Sequence, residues 1–245
     1  MVLCVPGMGE LRASYRFLTP ALAEAGYRVV TMDLRGHGES DATFDAYDDV
    51  AAGSDVVALI EELGGRAAVV GNSMGAGAAA WAAAEVPERV GALVLLGPFV
   101  RQVPVGKLME ISFRIAMMRP WGRLAWLSWY PKLFPGRKPP DFHEHRDRIR
   151  LSLKEPGRWE AFAATTRTSH APVEARLGDV RAPTLVIMGE SDPDFPDPAA
   201  EAQTVGERLR GEVVMVPAAG HYPQTEYPEV VSPAVVGFLR RAFPG

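Results

Sequence analysis

Six short apolar runs punctuate the chain, at residues 2–5, 28–32, 67–70, 92–96, 184–188 and 213–216. Each is rich in β-branched residues and closes on Gly, Pro or Asp, the pattern of a strand covered on both faces. Between the first four lie stretches with helical periodicity at residues 15–25, 48–63 and 74–84. This alternation predicts an α/β fold: a doubly wound, mostly parallel sheet with right-handed crossovers. The rhythm breaks after Leu96. From residue 98 to residue 174 the pattern is that of amphipathic helices with no strand, and it resumes at "RAPTLVIMG". The chain therefore divides into a core, residues 1–97 and 175–245, and a helical insertion, residues 98–174. The insertion is dense in Met109, Met117, Met118, Trp121, Trp126, Trp129 and Trp159. Each taken singly is expected to pack between helices, and together they suggest an apolar underside laid over the sheet.

Composition narrows the class without changing it. A chain of 245 residues that is 47% hydrophobic and 23% charged has a full core and is not disordered. A net charge of −4 gives no footprint for nucleic acid or an anionic membrane. One cysteine allows no internal disulfide, and neither a membrane span nor a signal peptide is visible, so the expected compartment is cytoplasmic. Cys4 lies inside an apolar run and reads as a small buried residue, not a nucleophile.

The chemistry is concentrated in "AAVVGNSMGAGAAAWAAA", residues 67–84: a strand, a Gly-x-Ser-x-Gly turn, then a helix of alanines. A serine on a sharp strand-to-helix turn needs small neighbours, because side chains at Gly71 and Gly75 would strike the bent backbone. Such a hydroxyl needs a base, and the base needs an orienting acid. Of five histidines, His143 and His145 lie in the polar "DFHEHRDR" and read as a solvated helix face. His170 sits where the insertion ends, and His37 lies in a Gly-rich turn. Only His221, after the last apolar run, falls at the carboxyl end of the sheet, where such folds bind ligands. The acid is expected from "MGESDPDFPDP", where Asp192 is best placed and Asp194 competes with it. No motif for a metal or cofactor stands out.

These segments resemble the α/β-hydrolase-fold serine hydrolases over nearly the whole chain. The likeness rests on "GNSMG", on "GYRVVTMDLRGHGESD" at residues 26–41, on "APTLVIMGESDPDFP" and on "VPAAGHYPQTEYPEVV". It implies Ser73 as nucleophile, His221 as general base, Asp192 as its orienter, and the N–H groups of Met74 and Met8 as the oxyanion hole. It makes the insertion a lid, with Trp126, Trp129 and Met117 as candidate walls of the pocket, and it implies no cofactor. Arg35 is expected to brace a turn. Where the family commonly has His-Gly in the oxyanion loop, this chain has Pro6-Gly7, which removes a ring that often braces the loop. The expected activity is hydrolysis of a carboxylic ester of a small apolar molecule, with thioesters, lactones and carbon–carbon bonds beside a ketone as alternatives. A ligand-sensing or interaction protein on the same fold is the reading from another class. In the family two strands usually precede the one at residues 2–5. Their absence here suggests an upstream start or truncation, and leaves residues 28–32 as an apolar edge through which a homodimer could pair.

Overall fold

The computed structural model of the chain describes residues 1–102 and 106–244. Its strands are β1 (Val2–Val5), β2 (Val29–Thr31), β3 (Ala67–Asn72), β4 (Val90–Leu96), β5 (Thr184–Gly189) and β6 (Glu212–Val216). They form one sheet in the order β2-β1-β3-β4-β5-β6, with every described pairing parallel. Side-chain alternation divides each inner strand between two cores. Leu3, Val5, Leu93 and Leu95 face one layer, and Val2, Cys4, Val94 and Leu96 face the other. Full burial of one such side chain is worth about 1.5–3 kcal/mol, which explains why these runs are so largely apolar.

The helices that cover the sheet are α1 (Leu18–Glu24), α2 (Asp49–Leu63), α3 (Met74–Glu85), α9 (Pro198–Leu209) and α11 (Pro228–Ala242). Helices α2, α3 and α9 pack on one face, and α1 and α11 on the other. Their starts are chemically marked. Asp48 accepts a hydrogen bond from Ala51 N–H at 2.9 Å before α2, and Asp197 does the same for Ala200 at 3.0 Å before α9. Helix α3 is buried between the sheet and α2, and its alanines are what such close approach requires. The observed elements differ from the sequence pattern mainly at their ends. The pattern at residues 15–25 is shorter in the structure, a 3₁₀ turn at Arg12–Tyr15 followed by α1.

Between β4 and β5 lie α4 (Lys107–Ala116), α5 (Gly122–Trp129), α6 (Phe142–Ser152), α7 (Arg158–Thr165) and the short α8 (Ala171–Glu174). The short α10 (Pro223–Glu226) follows β6. The insertion has its own core, in which Trp126, Tyr130, Phe142, Trp159 and Phe162 meet Tyr222 of the main domain. Two expectations need correction here. Met118, Trp121 and Trp129 are exposed rather than packed between helices, and the side chain of Met109 lies outside the described residues. His145 is not on a solvated face: it is only 4% exposed, while His143 is exposed as expected. Among the described residues, no helix is long and apolar enough to cross a membrane.

Backbone packs closely against backbone where β1 ends beside the first turn of α3. A Cβ added at Gly75 would stand 2.3 Å from Val5 O and 2.4 Å from Pro6 O. Gly75→Ala therefore pushes backbone against backbone, and a loss of about 3 kcal/mol is expected; a lowered urea midpoint at unchanged slope would register it.

Candidate active site

Strand β3 ends at Asn72 and α3 begins at Met74, so Ser73 alone makes the turn, at φ +56° and ψ −126°. That conformation is strained for a residue with a side chain, and the two flanking glycines make it possible. A Cβ at Gly71 would lie 2.4 Å from Gly75 O. Ser73 N–H donates to Leu96 O at 3.0 Å, which ties the turn to β4.

From β1 the neighbouring loop, Pro6 to Glu10, folds as a tight turn closed by Glu10 N–H donating to Gly7 O at 3.2 Å. Gly9 takes φ +72°, with the ring of Trp126 against its Cα. Gly7 lies so close to the serine that a Cβ there would be 2.7 Å from Ser73 Cβ. Among the described residues, neither Met8 N–H nor Met74 N–H is taken by a partner; Met74 N–H is one of the free donors at the start of α3. The loop does have a brace. Gly9 N–H donates to His37 Nε2 at 2.9 Å, so the ring proton belongs on Nδ1, 3.0 Å from Arg35 O. Burial lowers the pKa of His37 and keeps it in the neutral form this bond requires. The ring missing at Pro6 is thus replaced from the turn after β2. Arg35 braces that turn through two 2.7 Å bonds to Asp55.

Asp192 follows β5 and His221 follows β6. Asp192 Oδ2 is 2.8 Å from His221 Nδ1, and both groups are buried. Asp194 Oδ2 is farther away, at 3.6 Å, and its N–H donates to Asp192 Oδ1 at 3.0 Å. Geometry therefore separates the two acids: Asp192 is bonded to the imidazole, and Asp194 adds a second negative charge behind it. Burial opposes an imidazolium here, but the charges of Asp192 and Asp194, the Asp192 hydrogen bond and the charge of Glu226 outweigh it. They push the pKa of His221 up to about 9. Burial and the charge of Asp192 likewise raise the pKa of Asp194. The three groups lie within 4.8 Å of one another, close enough for a shared cation, yet the short Asp192–His221 bond and the Asp194 N–H on Oδ1 fit an acid–base pair. Asn72 joins this pair to the serine turn, its Nδ2 donating to Leu96 O at 2.9 Å and to His221 O at 3.2 Å.

Several polar residues around the site carry no motif in the sequence. Glu226 is fully buried and accepts from Gly220 N–H at 2.7 Å and Gly136 N–H at 3.2 Å, clamping the histidine loop to the insertion. Burial raises its pKa to about 7. Glu10, next to the oxyanion loop, is held by Tyr130 OH and by His145 Nε2 at 2.8 Å. Burial alone would raise its pKa, but His145, Tyr130 and Leu11 N–H bring it below the ordinary value. His170 Nδ1 lies 2.6 Å from buried Asp49, and Phe99 touches the rings of both His170 and His221. The double acid of "YDDV" was the only sequence signal for this pair, since Asp48 takes the capping role and leaves Asp49 without one.

The pocket residues expected from the insertion divide. Trp126 lies against Gly9, Met117 is buried beside Trp159 in the interior of the insertion, and Trp129 is 38% exposed beneath the Lys132 ammonium. Trp129 is therefore placed toward solvent. Cys4 is fully buried, and burial pushes its thiol up to about 12, where it is inert as a nucleophile.

A parallel sheet of this order, with a strained serine turn and a buried Asp–His pair at its carboxyl end, defines a hydrolase architecture. The chain belongs to the alpha/beta hydrolase family, whose model matches residues 2–234. It is similar to a 2-hydroxy-6-oxononadienedioate/2-hydroxy-6-oxononatrienedioate hydrolase of Burkholderia vietnamiensis, 30% identical over 94% of this chain and 82% of that protein. It is also similar to 3-oxoadipate enol-lactonase 2 of Acinetobacter baylyi, 27% identical over 88% and 79%. In fold it matches a thermophilic esterase from Thermogutta terrifontis, with a TM-score of 0.74 and 24% identity over 98% of this chain and 89% of that one.

Two outcomes follow from the charges around the site. A base must be neutral to accept a proton, so if His221 serves as the base, its pKa raised to about 9 puts the rising limb of kcat/KM above the ordinary histidine value of 6.5. Asp194→Asn removes one of the charges holding the proton and should move that limb to lower pH, while Asp192→Asn should reduce kcat across the range. Glu10→Ala leaves His145 and Tyr130 without their buried partner. A loss of about 3–5 kcal/mol is expected, measured by chemical denaturation, with Glu10→Gln milder.

Proposed function

We propose that the chain is a serine hydrolase that attacks a carbonyl carbon and breaks the carbon–carbon bond beside the ketone of an apolar oxo acid. The observation that carries the chemistry is the buried Asp192–His221 pair tied by Asn72 to the Ser73 turn. In this reading His221 Nε2 takes the Ser73 proton as Oγ bonds to the carbonyl carbon. The oxyanion is received by Met8 and Met74 N–H, donors preset by the fold and needing no reorganisation. When the adduct collapses, the bond to the leaving carbon breaks, and that carbon takes the proton from His221. The electron pair needs an acceptor, so the 2-hydroxydiene of the substrate must first tautomerise to its conjugated ketone, which takes the pair as a dienolate. Water then gives a proton to His221, attacks the acyl-enzyme, and releases a carboxylic acid and free Ser73.

The sequence by itself favours an ester. The substrate named for the 30% identical relative is a 6-oxo acid, and this supports the carbon–carbon reading over the ester one. A lactone is the second reading, supported by the enol-lactonase relative; it uses the same steps with an oxygen leaving group. The raised His221 pKa suits either substrate, because an imidazolium must be available to protonate the leaving atom.

Turnover of a 2-hydroxy-6-oxo-dienoate, an enol lactone and a p-nitrophenyl ester, measured side by side, separates the bonds. The dienoate should give the highest kcat/KM, and Ser73→Ala should lower kcat by about 10⁴-fold or more. Absence of turnover on all three, with no fluorophosphonate labelling of Ser73, would sink the hydrolase reading.

A further inference from the structure

The outer face of the insertion carries an apolar patch that the proposed chemistry does not use. Leu108, Ile111 and Ile115 recur at helical spacing on α4, and all three are exposed, Leu108 by 80%. The turn after α4 extends the row. Met118 N–H donates to Ile115 O at 3.1 Å, and the indole N–H of Trp121 donates to the same carbonyl at 3.0 Å. Leu124, whose N–H donates to Trp121 O at 2.9 Å, follows in the first turn of α5 and is 70% exposed. The opposite side of these helices is already satisfied, since Met117, Trp126 and Leu127 are buried in the insertion core. Exposed apolar surface of this extent marks a site of association.

Charge identifies the partner. Residues 98–174 contain fourteen Lys and Arg against seven Asp and Glu, a net of +7, in a chain whose total is −4. The remainder of the chain therefore carries −11. Within residues 111–129 there are three arginines, Arg114, Arg119 and Arg123, and no carboxylate. All three are exposed beside the apolar row, and only Arg119 has a carboxylate partner among the described residues, Glu160. A two-fold contact between copies would bring these arginines against one another. An anionic surface would instead attract the insertion and repel the acidic core, fixing the orientation of the molecule.

We propose that the α4–α5 face docks peripherally on an anionic lipid surface, with Ile111, Ile115, Trp121 and Leu124 entering the acyl boundary and Arg114, Arg119 and Arg123 meeting the phosphates. Large apolar and basic sectors on one exposed helical surface, with a tryptophan at the boundary, are the chemistry of interfacial binding. The chain-wide charge of −4 concealed this because the acidic core outweighs the basic insertion. Docking does not depend on which bond the site hydrolyses.

Cosedimentation of the full chain with phosphatidylglycerol-containing vesicles and with pure phosphatidylcholine vesicles tests this. Binding is expected to the anionic vesicles only and to fall with salt. R114Q/R119Q/R123Q, three surface changes that leave the core intact, should weaken binding on the order of a hundredfold. I111S/I115S/L124S should abolish it while turnover of a soluble ester is retained. Failure of the wild-type chain to bind, or equal binding to both vesicles, overturns the proposal. So does a stable dimer in light scattering that I111S/I115S/L124S disperses, which would assign the face to a second copy.

Discussion

Everything at the carboxyl end of the sheet depends on two backbones passing closer than side chains would permit. The helix that begins at Met74 presses its first turn onto the carbonyls of Val5 and Pro6, and Gly7 presses back onto Ser73. This contact joins two neighbouring strands into one rigid unit, and the N–H groups of Met8 and Met74 beside it have no hydrogen-bond partner among the described residues. The strain at Ser73, with φ at +56°, is sustained by this packing. No local hydrogen bond of the serine side chain caps α3. The hydroxyl is thus left out of the structural network at a point where backbone packs closely on backbone.

Around this unit the fold buries charge, with an energetic consequence. Glu10, Asp49, Asp192 and Glu226 are all nearly or fully inaccessible. A buried ion pair adds little net stability over an apolar substitute, whereas removing one partner is strongly destabilising. Such groups fix position more than they add stability. Glu10 links the loop after β1 to Tyr130 and His145 of the insertion, and Glu226 links the loop of His221 to Gly136. The insertion is therefore attached to both the loop after β1 and the loop of His221 through hydrogen bonds that tolerate little displacement.

The architecture was legible in the sequence because fully covered parallel strands must be apolar on both faces, and their runs stand out. Ser73, Asp192 and His221 stand out in the sequence because each follows such a run, and the structure brings Asp192 and His221 within 2.8 Å of each other. Choosing Asp192 over Asp194 was not a matter of pattern: the two differ by 0.8 Å in distance to one nitrogen. The roles of His37, Glu10 and His145 were hidden for a related reason. Each depends on a partner 28 to 135 positions away, and a polar residue destined for burial has the same local pattern as one destined for solvent. His145, in a segment of alternating charge, is the clearest case. The exposed residues Met118, Trp121 and Trp129 show the reverse error, since apolar identity alone does not say which face of a helix is covered.

Asn72 and His221 are in hydrogen-bond contact across 149 positions of sequence, and the whole insertion lies between them. This separation sets the order in which the molecule can become competent during folding. The serine turn is held by β1, β3, α3 and β4, all of which precede the insertion. The imidazole arrives only after β5 and β6 have added to the far side of the sheet. Pairing over such distances is slow, because loop-closure entropy is spent before contacts offset it. A partly folded chain therefore holds a shaped serine turn with no base beside it. On the proposed mechanism, chemical competence would come with the last strand, so the completed sheet would act as a checkpoint on reactivity.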